Sequence, residues 1–304
     1  MLGRLLGKGS DGEVYEILNH KEHVVKYIQP KIGGIHSYLE YYILLYNKHP
    51  NILNAVSIET TENNLVKIIL PRALDDLSKT KKRFRCHKNR HIFFQLVSGI
   101  DYLHSHNIVH GDIKPANILL FPNNQVMIND LSLALFLDSE VGNCKQLYTY
   151  HYRPPEIDKG LFSLKSDIYA LGCTLYELYF GTSYHNKKYQ LKRRPLYIIE
   201  DDSIEDKLFL DLVHNMTISD LDKRYNINQT KAHPFFEKKI FNVYENTNKD
   251  TLRLKSNDMS NFPDYISKCM NNYTKNADVN VSDIVYDIDQ YTSKKIKFDI
   301  MKLF

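Results

Sequence analysis

The chain has 304 residues, 43% of them hydrophobic, which suffices for one large domain or two small lobes with a proper core. Forty Lys and Arg against 36 Asp and Glu leave a formal charge of +4, too mild to mark a nucleic-acid binder by itself. No apolar run reaches eighteen residues and the start lacks a signal-peptide pattern, so neither a membrane span nor a leader is expected. The cysteines Cys86, Cys144, Cys173 and Cys269 lack metal or disulfide spacing, which points to a reduced, intracellular compartment, cytoplasm or nucleus.

Residues 1–70 read mostly as strands. Gly7, Lys8, Gly9, Ser10, Asp11 and Gly12, with Val14, form a G-x-G-x-x-G-x-V pattern between two apolar runs. Alone this is an ordinary glycine hairpin. Its chemical use is a flap whose backbone N–H groups approach phosphates with no Cβ in the way. A dinucleotide-binding reading needs a helix at the third glycine, and Glu13–Leu18 continues as a strand instead. Lys26 then sits inside the apolar strand His23–Ile28, where an unpaired ammonium is costly to bury. Its partner should be a carboxylate on a helix. Ser37–Leu45 is the helical candidate before residue 50, and Glu40 is its acid. Pro50 ends that helix. Leu65–Leu70 reads as a buried strand leading into Pro71 and Ala73.

From residue 74 the pattern turns helical. His91–His104 carries apolar residues at 92, 93, 96, 97, 100 and 103, one face at a period near 3.6. It delivers the chain to His110–Asn117, H-G-D-I-K-P-A-N. The apolar run Ile118–Phe121, the turn-forming Pro122–Gln125 and the run Val126–Ile128 read as a hairpin. That hairpin brings Asp112, Asn117 and Asp130 to one edge of a small sheet. Two carboxylates, an amide oxygen and Lys114 suit a magnesium-bound polyphosphate, because Mg²⁺ takes oxygen ligands from one or two carboxylates plus phosphates. Lys114 would face the same phosphate as a point charge.

Together these motifs resemble the eukaryotic serine/threonine protein kinases, whose catalytic loop reads H-R-D-x-x-x-x-N and is followed by D-F-G. Pro154, Pro155 and Glu156 stand for A-P-E, Asp167 opens the strong helix Ser163–Leu178, and Arg224 lies near the end of the core. The resemblance implies an α+β, bilobal protein-kinase-like fold. Its N-terminal lobe would hold a five-stranded antiparallel sheet with one main helix, and its C-terminal lobe would be larger and mostly helical. The kinase domain would span 1–240, with the N-lobe about 1–70, the hinge 71–73 and the C-lobe 74–240.

The same resemblance implies roles. Asp112 accepts the substrate hydroxyl's proton and Lys114 neutralises the transferring phosphoryl. Asn117 and Asp130 hold Mg²⁺. Lys26, fixed by Glu40, takes the α- and β-phosphates of ATP. The loop from Gly7 to Gly12 covers them, Val14 and Leu119 belong to the nucleotide site, and Pro71 and Ala73 offer backbone groups to adenine. Thr149 is expected to bond Asp112 and Lys114, Asp167 to pin the catalytic-loop backbone, and Arg224 to pair with Glu156. Lys114 and Thr149 favour serine and threonine hydroxyls of protein substrates.

Two letters depart from the family. Gly111 replaces the arginine that pairs with a phosphorylated activation segment, a non-RD arrangement implying activity without that phosphate. Asp130-Leu131-Ser132 replaces D-F-G, and Ser132 restricts the backbone where glycine would not. A pseudokinase scaffold is the rival reading, against which stand Lys26, Asp112, Lys114, Asn117 and Asp130, all present. A nucleic-acid binder using Lys79–Arg85 and Lys294–Lys297 is a further alternative, but no aromatic-interleaved basic motif accompanies them. The abundance of Asn, Ile, Lys and Tyr fits an AT-rich genome, that of a large DNA virus or a protist. Residues 241–304 match no motif and read as a C-terminal extension.

Overall fold

The structure is a computed structural model that describes residues 1–9, 12–28, 35–63, 65–80, 90–137, 142–143, 147–185 and 204–236. Ser10, Asp11, most of the basic run Lys79–Arg85, the Lys294–Lys297 segment and the whole 241–304 extension lie outside the described residues. Two compact units divide the chain: Met1–Asn47 with Asn54–Arg72, and Lys48–Leu53 with the described residues from Ala73 on.

The first unit is built on an antiparallel sheet of β1 (Leu2–Gly9), β2 (Gly12–Ile17), β3 (His23–Ile28), β4 (Ser57–Thr60) and β5 (Val66–Pro71), with α1 (Ile35–Tyr46) between β3 and β4. Strand order is β1-β2-β3-β5-β4. Alternation explains β5: Val66, Ile68 and Leu70 are buried, while Lys67 points out and meets Glu59 at 3.0 Å. Val24, Val25 and Ile28 of β3 join Tyr41, Ile43 and Leu44 of α1 among the unit's buried residues. β1 and β2 meet at Gly9 and Gly12. Only glycine fits at 12, where a Cβ would lie 2.1 Å from the Tyr27 carbonyl oxygen.

The second unit takes its first piece from Lys48–Leu53, and Asn51 shows why. Its Nδ2 donates to Gln95 Oε1 and to the Val126 carbonyl, both at 2.9 Å, and its own carbonyl accepts the Ile128 N–H at 2.8 Å. A buried amide with these partners is costly to detach. β6 (Asp75–Asp76) follows, then α2 (Arg90–Ser105), whose face Ile92, Phe93, Leu96, Val97, Ile100 and Leu103 is buried. Next come β7 (Ile108–Val109), β8 (Ile118–Leu120) and β9 (Val126–Ile128), with β8 and β9 paired antiparallel around a turn at Pro122–Asn124. The strand stops at Leu120, and Phe121 N–H already closes the turn on the Gln125 carbonyl.

The stretch after Asp130, without periodicity in the sequence, holds two short pairings. β10 (Leu135–Phe136) returns to β7, and β11 (Gly142–Asn143) pairs with β12 (Leu161–Phe162). α3 (Leu164–Phe180) is buried along most of its length, which its nearly all-round apolar sequence requires. α4 (Ile204–Met216) packs on it, and α5 (Ile227–Lys231) opens with a reciprocal cap: Gln229 N–H donates to Asn226 Oδ1 and Asn226 N–H to Gln229 Oε1, both at 2.9 Å. Phe93, Tyr179, Phe209 and Phe235 form the aromatic centre, Tyr179 and Phe209 stacked at 3.9 Å. Arg224 is fully buried and binds Glu156 with both arms, at 2.6 and 2.9 Å, while Ser166 Oγ donates to Glu156 Oε1 at 2.8 Å. No helix of the described residues is long and apolar enough to cross a membrane.

Candidate active site

The expected site residues fall on both units, and each group has its own geometry. In the first, antiparallel pairing of β2 with β3 sets Val14 opposite Lys26. Lys26 Nζ lies 3.8 Å from Glu40 Oε1, an ion-pair contact longer than a hydrogen bond, with both side chains largely shielded. Gly7 pairs with Val14 and Lys8 with Glu13 across the β1–β2 hairpin, and the exposed Lys8 ammonium rests on Glu13 at 2.9 Å. Pro71 ends β5 opposite His23.

In the second unit, the β8–β9 hairpin and the buried Asp167 of α3 shape the loop that carries Asp112. Asp167 Oδ2 accepts the His110 N–H at 2.7 Å and Oδ1 the Gly111 N–H at 3.1 Å. His104 Nε2 adds a donor at 3.1 Å. Burial alone would raise the Asp167 carboxyl, but the His104 ring and the backbone donor outweigh it and hold it below the usual carboxylate range. His110 keeps the loop closed: its Nδ1 accepts the Asp112 N–H at 3.2 Å, so Nε2 donates to the Asn129 carbonyl at 3.0 Å. Gly111 has φ +79°, and a Cβ there would meet the Leu133 carbonyl at 2.7 Å. Any side chain at 111 would be strained on this backbone.

Asp112 is buried and held by four donors. Oδ1 accepts Thr149 N–H at 2.9 Å and Thr149 Oγ1–H at 2.7 Å; Oδ2 accepts Lys114 Nζ at 2.6 Å and Asn117 Nδ2 at 3.1 Å. Lys114 Nζ also reaches Thr149 Oγ1 at 2.9 Å. Burial pushes the Asp112 carboxyl up, but the bonds from Lys114 and Thr149 prevail and its pKa lies below the ordinary value. Asn117 commits its amide nitrogen to Asp112 Oδ2 and to the Asp112 carbonyl, 2.9 Å away, so those bonds do not engage its Oδ1. The Asn129 N–H donates to the Asn117 carbonyl at 2.9 Å and so couples Asn117 to the Asp130 turn.

Asp130 has φ +61°, and Ser132 Oγ donates to its Oδ1 at 2.7 Å, a bond that does not engage Oδ2. Leu131 is buried between them. The oxygen pair of Asn117 and Asp130 has the chemistry Mg²⁺ accepts when phosphates complete its shell. Among the described residues no group of three or more His, Cys, Asp or Glu forms a metal cluster. Leu119 lies on β8 between Asp76 and Met127, and Ala73 is the first residue of the second unit's main body.

Sequence reasoning passed over Tyr148 as a structural residue. It is 2% exposed with φ +65°, and its hydroxyl donates to Asp167 Oδ1 at 2.9 Å. No local pattern marks it, because its partner lies nineteen residues on. Tyr152 was likewise unassigned; its hydroxyl donates to Glu177 at 2.8 Å.

Comparison with known proteins gives this geometry its family. The model of the protein kinase domain matches residues 1–236. Serine/threonine-protein kinase STK11 of Gallus gallus is 31% identical over 280 residues, covering 79% of this chain and 60% of that protein. The probable serine/threonine-protein kinase glkA of Dictyostelium discoideum is 29% identical, covering 79% of this chain and 59% of its own. The chain thus spans about three fifths of the length of these curated relatives. Among solved structures, a chain of the yeast RNA Pol II CTD kinase CTDK-1 complex aligns with a TM-score of 0.61 at 23% identity, covering 77% of this chain and 92% of that one, a likeness of fold. With its sheet, its catalytic-loop hairpin and its buried helix aspartate in the arrangement described, the chain belongs to the protein kinase domain family.

Proposed function

We propose that the chain transfers the γ-phosphoryl group of ATP to serine or threonine hydroxyls of protein substrates. The observation that carries this reading is the grip on Asp112: Lys114, Thr149 and Asn117 all lie within hydrogen-bond distance of one buried carboxylate. In the reaction the hydroxyl oxygen forms a bond to the γ-phosphorus, the bond from that phosphorus to the β-bridging oxygen breaks, and ADP leaves with the electron pair. Asp112 orients the hydroxyl and receives its proton. Its depressed pKa makes it a weak base, so orientation comes first and the proton moves late. Lys114 faces the charge of the transferring group. Lys26, steadied by Glu40, takes the α- and β-phosphates, and the Gly7–Gly12 hairpin with Val14 covers the nucleotide. Pro71, Ala73 and Leu119 are assigned to the adenine side on the family's pattern.

Asn117 Oδ1 and Asp130 Oδ2 would hold Mg²⁺, which when bound neutralises phosphate charge. Catalysis in this reading is positioning plus electrostatic stabilisation by groups already in place. The absence of a side chain at Gly111 supports activity that does not depend on a phosphate in the activation segment.

The test is transfer of label from γ-labelled ATP with Mg²⁺ to the protein itself and to a generic basic protein, with Asp112→Asn and Asp130→Asn alongside. Label with wild type that vanishes in both variants, and appears as phosphoserine or phosphothreonine on acid hydrolysis, is the expected result. Folded wild type giving no more label than the variants contradicts it and leaves a scaffold of kinase fold.

A further inference from the structure

Position 111 of the catalytic loop carries no side chain, so the loop must be tied to the segment that follows Asp130 from another residue. Tyr148 meets that position once directly and once through Asp167. Its backbone N–H donates to the Gly111 carbonyl at 2.7 Å. Its phenol donates to Asp167 Oδ1 at 2.9 Å, the same oxygen that accepts the Gly111 N–H. The next residue, Thr149, binds Asp112 through both its N–H and its hydroxyl. Two consecutive residues of one segment are therefore fastened to two consecutive residues of the loop.

The backbone at Tyr148 is bent to allow this. An aromatic residue at φ +65° is uncommon and persists only where its surroundings over-determine it. Here the surroundings are Asp167, Gly111 and the Arg153 guanidinium, whose Nε and Nη2 donate to the Tyr148 carbonyl at 3.2 and 3.0 Å. Leu147, just before it, lies 3.0 Å from where a Cβ of residue 111 would be. Burial, then the Asp167 carboxylate, push the phenol well above its ordinary range, so it remains a donor at any working pH.

We infer that Tyr148 is a positioning residue for Asp112: its buried hydroxyl ties the Thr149 segment to the catalytic loop through Asp167, a permanent latch in place of a switchable one at position 111. The proposal rests on Asp112 as the proton acceptor. Tyr148→Phe in the full chain deletes one hydroxyl and keeps the ring. The expected result is a fall in kcat of about tenfold with KM for ATP within about twofold, because the nucleotide-binding residues are untouched. Amide exchange of the peptide spanning 147–153, which contains the Thr149 N–H, should quicken by about tenfold. Exchange at Arg224, whose N–H bonds the Asp220 carbonyl, should stay unchanged.

Unchanged kcat with unchanged 147–153 exchange overturns the latch. So does a fall in kcat with that exchange unaltered, or a quickening shared equally by Arg224, which is mere loss of stability. Wild type without transferase activity defeats the proposed function, and the exchange comparison then decides the latch by itself.

Discussion

Asp112 has donors on both carboxylate oxygens, and in the proposed mechanism this sets what kind of base it is. Replacing Thr149 by Val removes the hydroxyl that binds Asp112 Oδ1 and bridges to Lys114, while the backbone N–H bond can remain. A hydrogen bond to a charged group is worth roughly 1.5–3 kcal/mol, so kcat should drop about tenfold or more with little change in KM for ATP. Steady-state kinetics at saturating peptide checks this. Ser132 holds Asp130 Oδ1 as Thr149 holds Asp112 Oδ1, but unlike Asp112, whose Oδ2 is taken by Lys114 and Asn117, Asp130 has only this one side-chain donor among the described residues. Ser132→Ala should raise the Mg²⁺ concentration that half-saturates binding of a fluorescent ATP analogue, by roughly tenfold on the same magnitude. An unaltered Mg²⁺ dependence would show that Asp130 needs no such hold.

Among the elements, the turn from His49 to Leu53 carries a titration of its own. His49 Nδ1 accepts the Asn51 N–H at 3.2 Å, so Nε2 bears the proton and faces Ser98 Oγ at 3.2 Å, and the ring stacks on Tyr102 at 5.0 Å. Burial lowers its pKa to about 4, against a partial upward pull from Asp101 and a downward push from Lys231. The folded state thus resists a proton that the unfolded chain accepts near 6.5. Stability is full above that value and falls as pH drops toward 4, by roughly 3 kcal/mol if the whole shift is expressed. Urea midpoints at pH 7.5 and 5.0 for wild type and His49→Gln should show a smaller pH dependence in the variant. Equal slopes would place the effect elsewhere.

Elements also differ in how far the sequence revealed them. The β8–β9 hairpin was legible because Pro122–Gln125 is turn chemistry between two apolar runs, and α2 because six apolar residues keep one period. The two-residue pairings of β10 with β7 and β11 with β12 were not, since they join segments about 27 and about 19 residues apart through backbone bonds that leave no periodicity. α4 was overlooked although Phe209, Leu212, Val213 and Met216 keep helical spacing and are all fully buried. Around the loop, Asp112, Lys114 and Asn117 could be named from their chemistry and spacing and Thr149 from the family resemblance, whereas Tyr148 could not. Its phenol matters only because the fold sets it against Asp167, and its left-handed backbone has no glycine to announce it.

At the scale of the whole molecule, a buried charge pair braces the second unit. Arg224 is enclosed by Glu156, by the Ile218 and Lys165 carbonyls and by the Tyr169 ring. Arg224→Ala would leave the Glu156 carboxylate buried without its partner, at a cost of roughly 3–5 kcal/mol. Loss of the cooperative unfolding transition or a drop in melting temperature of several degrees is expected by calorimetry; a melting temperature equal to wild type would show the pair to be dispensable.

In the proposed function the loop carrying Asp112 assembles without a phosphate in the activation segment, Asp112 being held by Lys114, Asn117 and Thr149 and the loop by Asp167. The direct measurement is kcat for phosphorylation of a generic serine/threonine protein substrate by phosphatase-treated chain, verified phosphate-free by mass spectrometry at zero time, beside untreated chain and Asp112→Asn. Initial rates within about twofold for treated and untreated protein, and none above background for the variant, are expected. Activity that disappears on phosphatase treatment and returns with autophosphorylation would contradict phosphate-independent assembly, and transfer that survives Asp112→Asn would contradict the role of Asp112.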